Sequence, residues 1–532
     1  MFSARSIASL ASLLTLISAS LLPTHAQTLL YSIQSPYSIN GGLFGFGVKG
    51  IPDVNRDGIP DLAIGAQSET VIQTDAAGRC YVMDGSNGDL LVDLHEPVLQ
   101  SGSKFGQAFS ALPDMNSDTI PEIVVGAYGS RVNNLNFSGR AYIMNPADGT
   151  VLHTLQSPAP QIDGWFGHSV SSAGECNGDT VCDVIIGARK ETVNRVVQAG
   201  HAYLFNGANG TLLHTLQSPN PETSGWFGHL VGELGDITGD GRSDVFVTAS
   251  QETVNGRARA GRIYTFNGAT GALIRTIASP IPYSNGGFGV TVDLTGDVDG
   301  DGFTDFIVSA SGDSLPQWGV RGVAYVINPV TGVVIYNIYT QNPNPFPVRG
   351  VACAGLVTND TLPDFLCGTA SAVYLFDGES GNLLWTLNAP IAGGTFGSFC
   401  DGIGDVNGDG RGDFIVGDYN INSQQGAAYV YSGVTLSAGE YRSEITNRFA
   451  LRTNPNPFNS STVVHFQLPV TANVELKLFN SVGNQVRALT NQVYPAGSHQ
   501  VSVSGNGFSS GSYFLRMEAN GKMTEQKIVL IK

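Results

Sequence analysis

The chain has 532 residues, 67 of them Gly, and only 13% carry charge. Charged residues usually make up roughly a quarter, so this composition points to many short strands and tight turns. Forty-four acidic against 27 basic residues give a formal net charge of −17, which argues against nucleic acid and anionic membranes as partners and leaves room for cations.

Arg5 precedes an apolar run from Ile7 to Leu22, and Thr24-His25-Ala26-Gln27 follows. A short positive region, an apolar stretch and a small residue before the cut read as a secretory signal peptide over 1–26. No later run reaches the ~18 apolar residues a spanning helix needs, so no transmembrane span is expected in the mature chain.

Phe-Gly recurs at Phe44-Gly45, Phe105-Gly106, Phe166-Gly167, Phe227-Gly228, Phe288-Gly289 and Phe396-Gly397. Nine residues after each Phe stands an acid: Asp53, Asp114, Glu175, Asp236, Asp297 and Asp405. The first five acids are 61 residues apart, and Arg349-Gly350 through Asp364 supplies a degraded sixth copy, for seven in all. Each unit reads as a short strand starting at Phe-Gly, an acidic turn and a second apolar strand such as Leu62-Ala63-Ile64-Gly65-Ala66. A third strand such as Ala202-Tyr203-Leu204-Phe205 follows, then a fourth ending in Ser-Pro. Four short strands per repeat, seven times over, predict an all-β fold: a seven-bladed β-propeller over 27–436. The last unit lacks its fourth strand, and Leu29-Leu30-Tyr31-Ser32-Ile33-Gln34-Ser35-Pro36 closely matches Leu212 to Pro219. The N-terminal strand is therefore expected to complete the last blade and close the ring.

The acidic turns share one spacing. Side chains at positions 1, 3, 5 and 9, with the carbonyl at position 7, can converge on one hard cation that wants six to eight oxygens. In chain order the sets are Asp53, Asn55, Asp57, Ile59 and Asp61; Asp114, Asn116, Asp118, Ile120 and Glu122; Glu175, Asn177, Asp179, Val181 and Asp183. Then come Asp236, Thr238, Asp240, Arg242 and Asp244; Asp297, Asp299, Asp301, Phe303 and Asp305; Asp405, Asn407, Asp409, Arg411 and Asp413. Position 6 favours Gly, and Gly58, Gly241, Gly302 and Gly410 comply while Thr119 and Thr180 do not. Asp/Asn/Gly runs also make plain turns, but six in register favour about five to six structural calcium sites. The sixth turn, with Leu356 and Thr358, is expected to bind no metal. Arg411-Gly412-Asp413 spells an adhesion tripeptide, but its Asp is already a position-9 ligand.

Six cysteines fit an oxidising compartment. Cys176 with Cys182, and Cys353 with Cys367, bracket turns and are expected to form bridges; Cys80 and Cys400 stay unassigned.

The Phe-Gly, the Asp-x-Asn-x-Asp-Gly-x-x-Asp turn and the Ile-Gly-Ala step resemble the FG-GAP repeats of integrin α-subunit heads and related bacterial surface proteins. The resemblance covers about residues 28–435. It implies a seven-bladed propeller with calcium on one face and ligand recognition on the other. Val247-Thr248-Ala249, Val308-Ser309-Ala310 and Leu366-Cys367-Gly368 depart from the Gly-Ala step.

A linker over 437–449 leads to a second domain, 450–532, opened by Asn454-Pro455-Asn456-Pro457-Phe458-Asn459. Alternating runs Val463 to Leu468, Val474 to Phe479, Gly511 to Arg516 and Lys527 to Lys532 predict a small C-terminal β-sandwich, Ig-like in architecture. It is similar to the type A sorting domain of the bacterial type IX secretion system, which implies a partnership with that machinery and a place on the cell surface or in the medium.

No HExxH, phosphate loop or zinc-type cluster is present. Gly507-Phe508-Ser509-Ser510-Gly511 matches G-x-S-x-G but lies in the small β domain, outside a strand–turn–helix setting. The expected function is binding of a glycan or an extracellular protein opposite the calcium turns. Tyr37, Arg131, Trp165, Arg195, Trp226, Arg257, Tyr283 and Trp318 are the candidate ligand face. The alternatives are a polysaccharide hydrolase or lyase with its site at the propeller centre, and a passive surface-layer component.

Overall fold

Runs such as Asp61–Ala66 and Asp183–Ala188 are buried at every position. A strand apolar on both faces needs a covering layer on each side, and radially stacked sheets supply it. The computed structural model describes residues 28–433 and 450–531, apart from 316–319, 340–347, 359, 455, 457, 469–470, 481–482, 496 and 520–521. The signal peptide 1–26, the linker 437–449 and Trp318 lie outside the described residues.

Residues up to Val434 form one unit and Thr435–Lys532 a second. The first unit holds seven four-stranded antiparallel sheets. Blade one is Val48–Ile51, Asp61–Ala66, Arg79–Met83 and Leu90–Leu94, paired in chain order. Blades two to six repeat that order, starting at Phe109, Phe166, Phe227, Val292 and Gly350. Blade seven takes Phe399–Gly404, Asp413–Asp418 and Ala427–Tyr431, and its fourth strand is Leu29–Gln34, with Tyr31 opposite Val430 and Ile33 opposite Ala428. First strands of most neighbouring blades touch, including blade seven against blade one, so they ring an axis.

Two short motifs explain how the blades pack. The Phe of each Phe-Gly is fully buried and lies against the third-strand Tyr, as in Phe44–Tyr81 at 5.5 Å between ring centroids and Phe166–Tyr203 at 5.8 Å. The Gly after it takes a positive φ, +85° at Gly45 and +81° at Gly167. The chain therefore turns there, and in blades one, two, five and seven the regular strand starts a few residues beyond Phe-Gly. The Gly of the second strand faces this turn in the next blade. A Cβ on Gly65 would lie 2.2 Å from the Gly106 carbonyl, on Gly126 2.0 Å from that of Gly167, and on Gly187 2.1 Å from that of Gly228. Blades four and five carry Thr248 and Ser309 instead, and the Leu230 and Thr291 N–H groups donate to those hydroxyls at 3.0 Å.

The Ser of the Ser-Pro that ends the fourth strand in blades two, three, four and seven also has a partner. Ser35 and Tyr81 both donate to the buried Glu69 carboxylate, Ser218 reaches the Tyr264 hydroxyl that donates to Glu252, and Ser279 and Tyr325 donate to Asp313. A buried carboxylate is tolerable only when so satisfied.

The expected cysteine bridges are absent: all six cysteines are free. Cys182 packs in the apolar cluster between blades two and three, and Cys176 in that between blades three and four. The two thiols thus leave opposite faces of one sheet. Cys353 pairs with Phe365 and Cys367 with Val351, so they are not opposite each other in the hairpin.

The second unit is a sandwich of a three-stranded sheet (Ala450–Asn454, Ser461–Leu468, Gly497–Ser504) and a four-stranded one (Gln485–Tyr494, Ala472–Asn480, Gly511–Ala519, Lys522–Leu530). Val464, Phe466 and Leu468 of the first meet Val474, Leu476, Leu515 and Ile528 of the second. The serine run at 509–510 is a turn: the Tyr513 hydroxyl donates to the Ser509 carbonyl at 2.8 Å.

Candidate functional site

Each acidic turn joins the first and second strands of its blade, and its acids divide the work. Position 1 shapes the turn: Asp53 accepts N–H bonds from Arg56 (2.6 Å), Asp57 (3.2 Å) and Gly58 (2.8 Å). Asp236, Asp297 and Asp405 repeat the pattern. Position 5 accepts from the N–H of position 7, as Ile59 to Asp57 at 2.8 Å and Phe303 to Asp301 at 2.9 Å. Position 9 is buried in all seven blades and ties the turn to the sheet. Asp61 accepts from Val54 (2.8 Å) and Gly85 (3.1 Å), Asp183 from Cys176 (2.9 Å) and Gly207 (3.1 Å).

Burial pushes the position-9 acids up, and the neighbouring loop carboxylates push further. Glu122 and Asp305 rise to about 7, and Asp183 and Asp413 to about 6. Carboxylate oxygens of Asp114, Asp118 and Glu122, and of Asp297, Asp299 and Asp305, lie within 4.8 Å of one another. Such packing of like charge favours a cation or a proton among them. Asp305 also keeps a buried oxygen without a hydrogen-bond partner.

Thr119 and Thr180 take the same left-handed conformation as Gly58, with φ of +72° and +71° against +90°. For a β-branched residue that conformation is strained. Thr180→Gly should therefore stabilise the protein by about 1 kcal/mol, read as a later urea midpoint; an unchanged or earlier midpoint would show that no strain is stored there.

A residue just after the third strand closes over the turn. Asn145, Asn206, Asn267 and Asn328 each donate Nδ2 to the position-5 Asp of their own blade at 2.6 Å. Ser432 does the same to Asp409 at 3.1 Å. These residues escaped the motif reading because they stand 27 positions beyond their partners, in Asn145, Asn206, Asn267 and Asn328 alike. Their own recurrence every 61 residues was the available signal.

On the opposite face, Trp165 and Trp226 come together around a residue the sequence did not single out. The Arg189 guanidinium carbon lies 4.8 Å from the Trp165 ring centroid and 4.4 Å from that of Trp226, and Lys190 Nζ sits 3.4 Å from Trp165. His168 stacks on Trp165 at 5.6 Å, and His229 lies 5.7 Å from His168. Burial, then the Arg189 charge, pushes both imidazoles down, His229 to about 3. Trp165 Nε1, Trp226 Nε1, His168 Nδ1 and Arg189 Nε are buried without hydrogen-bond partners. The other candidates lie elsewhere. Tyr37 donates to Asp93 (2.8 Å) under the Arg79 guanidinium. Arg131, Arg195 and Arg257 are exposed on the loops of blades two, three and four, and Tyr283 is half-buried before Phe288. Arg131 borders an open groove of about 510 Å³ with Val98, Asn133 and Thr154.

At the axis, Lys49, Asp293 and Asp401 sit on first strands of blades one, five and seven. The Gly50 N–H donates to Asp401 at 3.0 Å, and the Cys353 N–H to Asp293 at 2.8 Å, both across blade joints. Burial and Asp293 push Asp401 up to about 7 against the opposing pull of Lys49.

Comparison with known proteins meets this geometry at two places. Residues 236–308, the acidic turn and strands of blade four running into blade five, match the FG-GAP-like repeat family. Residues 453–532 match the secretion system C-terminal sorting domain. The chain carries FG-GAP-like repeats and a sorting domain. It is similar to integrin alpha-2 of Bos taurus, 30% identical over 238 residues, which are 42% of this chain and 19% of that protein. Integrin alpha-IIb of Homo sapiens is 30% identical over 208 residues, 36% of this chain and 18% of that protein. Integrin alpha-8 of Gallus gallus is 27% identical over 251 residues, 44% and 22% respectively. The chain spans about a fifth of the length of these relatives. Its sorting domain marks it for type IX export to the cell surface or the medium. Among the described residues no helix is long and apolar enough to cross a membrane.

Proposed function

We propose that this is a binding or adhesion protein whose FG-GAP propeller is stiffened by calcium in its acidic turns and recognises a glycan or an extracellular protein on the opposite face. The metal would be held by positions 1, 3, 5 and 9 of the turns, with the carbonyl of position 7. All these donors are oxygens, the set calcium prefers. Calcium would neutralise the loop acids, and the turns themselves supply the backbone N–H bonds that keep those acids in place.

The observation that carries the binding reading is the Arg189 cluster. A guanidinium held between two indoles, with the N–H groups of Trp165, Trp226 and Arg189 Nε buried without acceptors, is a preorganised and electropositive surface on a protein of net charge −17. Aromatic and Arg side chains in such settings dominate binding energies. The C-terminal domain would meet the type IX machinery.

The test is a glycan array and a surface-protein pull-down with the mature chain, repeated with Arg189→Ala and with Trp165→Ala/Trp226→Ala. Binding should weaken about tenfold or more in each variant, with calcium-dependent melting unchanged. Full binding by folded variants would move recognition to another surface.

A further inference from the structure

Burying a cation without an anion is costly, so a guanidinium left in that state calls for a partner. Arg79, Arg140 and Arg262, at the starts of third strands, each have one. Arg79 Nε lies 3.5 Å from Glu69, Arg140 Nη1 3.9 Å from Glu96 and Arg262 Nη1 3.1 Å from Glu252. Arg189 differs. Among the described residues, neither it nor Lys190 lies within ion-pair distance of a carboxylate, and its guanidinium donates no hydrogen bond. Burial pushes the Arg189 guanidinium down to about 10, with no carboxylate to offset it. Its Nε is buried, but the residue as a whole is only half-buried, so the Nη groups open outward.

This pair of cations is peculiar to blade three. The residues matching Arg189 along the 61-residue period are Gln67, Tyr128, Ser250 and Ser311, and those matching Lys190 are Ser68, Gly129, Gln251 and Gly312. Trp165 and Trp226 stand where blade five has Gly287. They take φ of +59° and +58°, a left-handed conformation that a bulky side chain holds only under strain, and such strain collects at binding sites.

The rings also form a continuous belt. Centroids are 4.8 Å apart for Tyr128–Trp165, 5.6 Å for Trp165–His168, 5.7 Å for His168–His229 and 5.9 Å for His229–Trp226. Both imidazoles are held neutral by burial and by Arg189, so the belt is a row of uncharged rings beside two unpaired cations. Around it Arg131, Arg195, Arg257 and Arg259 are exposed on loops of three successive blades, none in an ion pair among the described residues. Flat rings beside spaced cations suit a polymer of flat sugar rings that carries carboxylates at regular intervals.

We propose that this face binds a uronate-bearing polysaccharide, with the Arg189 guanidinium taking a sugar carboxylate through two parallel N–H bonds, Lys190 adding charge, and the ring belt packing on the sugar faces. A peptide carboxylate on its flexible stem would engage the cations and leave the belt unused. The inference rests on the reading of this face as the recognition surface and adds the ligand's chemical class.

The test is calorimetric titration of the mature full-length chain, in calcium, with hexamers of galacturonate, mannuronate, guluronate and glucuronate. Each is paired with its neutral methyl ester, and hexaglutamate is the peptide polyanion. At least one uronate hexamer should bind. Its ester and hexaglutamate should bind about tenfold more weakly or not at all, and the uronate affinity should fall as salt rises. Arg189→Gln and Lys190→Gln should each weaken uronate binding about tenfold. Lys190→Gln alters a half-buried side chain with no ion pair, so its melting temperature should stay that of wild type. Failure of every uronate, an ester that binds as well as its acid, or hexaglutamate that binds as tightly as the best uronate overturns the inference. None of these touches the reading of the face, which falls only to partners that bind the Arg189→Ala and Trp165→Ala/Trp226→Ala variants in full.

Discussion

Chelating divalent cations from the mature chain should lower its melting temperature by about 15 °C relative to 10 mM calcium. With Kd of about 10⁻⁴ M, as in extracellular modules, each site contributes about 2.7 kcal/mol at 100 times Kd. Five sites then give about 13 kcal/mol, and an unfolding entropy of about 2.1 cal/mol/K per residue over ~400 residues converts this to about 15 °C. The measurement is calorimetry in EDTA and in calcium, with magnesium as the comparison. Overlapping transitions would leave the turns as plain Asx-type bends.

The metal-free protein should also show a characteristic pH response. Folding raises the position-9 carboxyls above the ordinary carboxylate range, Glu122, Asp305 and Asp364 to about 7 and Asp183 and Asp413 to about 6. A raised folded pKa favours the protonated native state, so this stability is fully present below the unfolded value of roughly 4. It is lost as pH climbs through about 6 to 7. Calcium binds the ionised form, so its stabilisation should grow over the same interval. A metal-free melting temperature that rises from pH 5 to pH 8 would contradict this.

Gly187→Ala should destabilise by about 3 kcal/mol or more, the range for overpacking against an unyielding neighbour. The new methyl would sit 2.1 Å from the Gly228 carbonyl, which is backbone and belongs to the next blade. Blades three and four must part to admit it. Thr248→Ala, at the matching position of blade four where a side chain is already housed, should cost no more than about 1 kcal/mol, the lost hydroxyl bond from Leu230. Equal costs at the two positions, measured by urea unfolding, would show that the joint is not what makes Gly187 necessary.

Much of this was legible in the sequence because the decisive spacings are local. Phe-Gly and the acidic turn lie within about 20 residues, and a 61-residue period exposes them. Features that arise from contact between distant segments were not legible. Trp165 and Trp226 were candidates, yet the Arg189 that joins them looks in sequence like any residue ending a second strand. The cysteine pairs bracket turns, and proximity in sequence concealed that the thiols leave opposite faces. In the C-terminal unit, Gln485–Tyr494 does not read as a strand, because it is largely exposed and lacks a clean apolar alternation.

The pairing of Leu29–Gln34 with Ala427–Tyr431 has a temporal consequence. The ring stays unlatched until the ribosome has delivered nearly the whole of that unit, because its first-made strand must wait for its last-made partner. Until then the apolar face that blade one turns toward blade seven stays uncovered. Removing Leu29–Gln34 would leave the edge of Ala427–Tyr431 permanently open for a second molecule to zip onto.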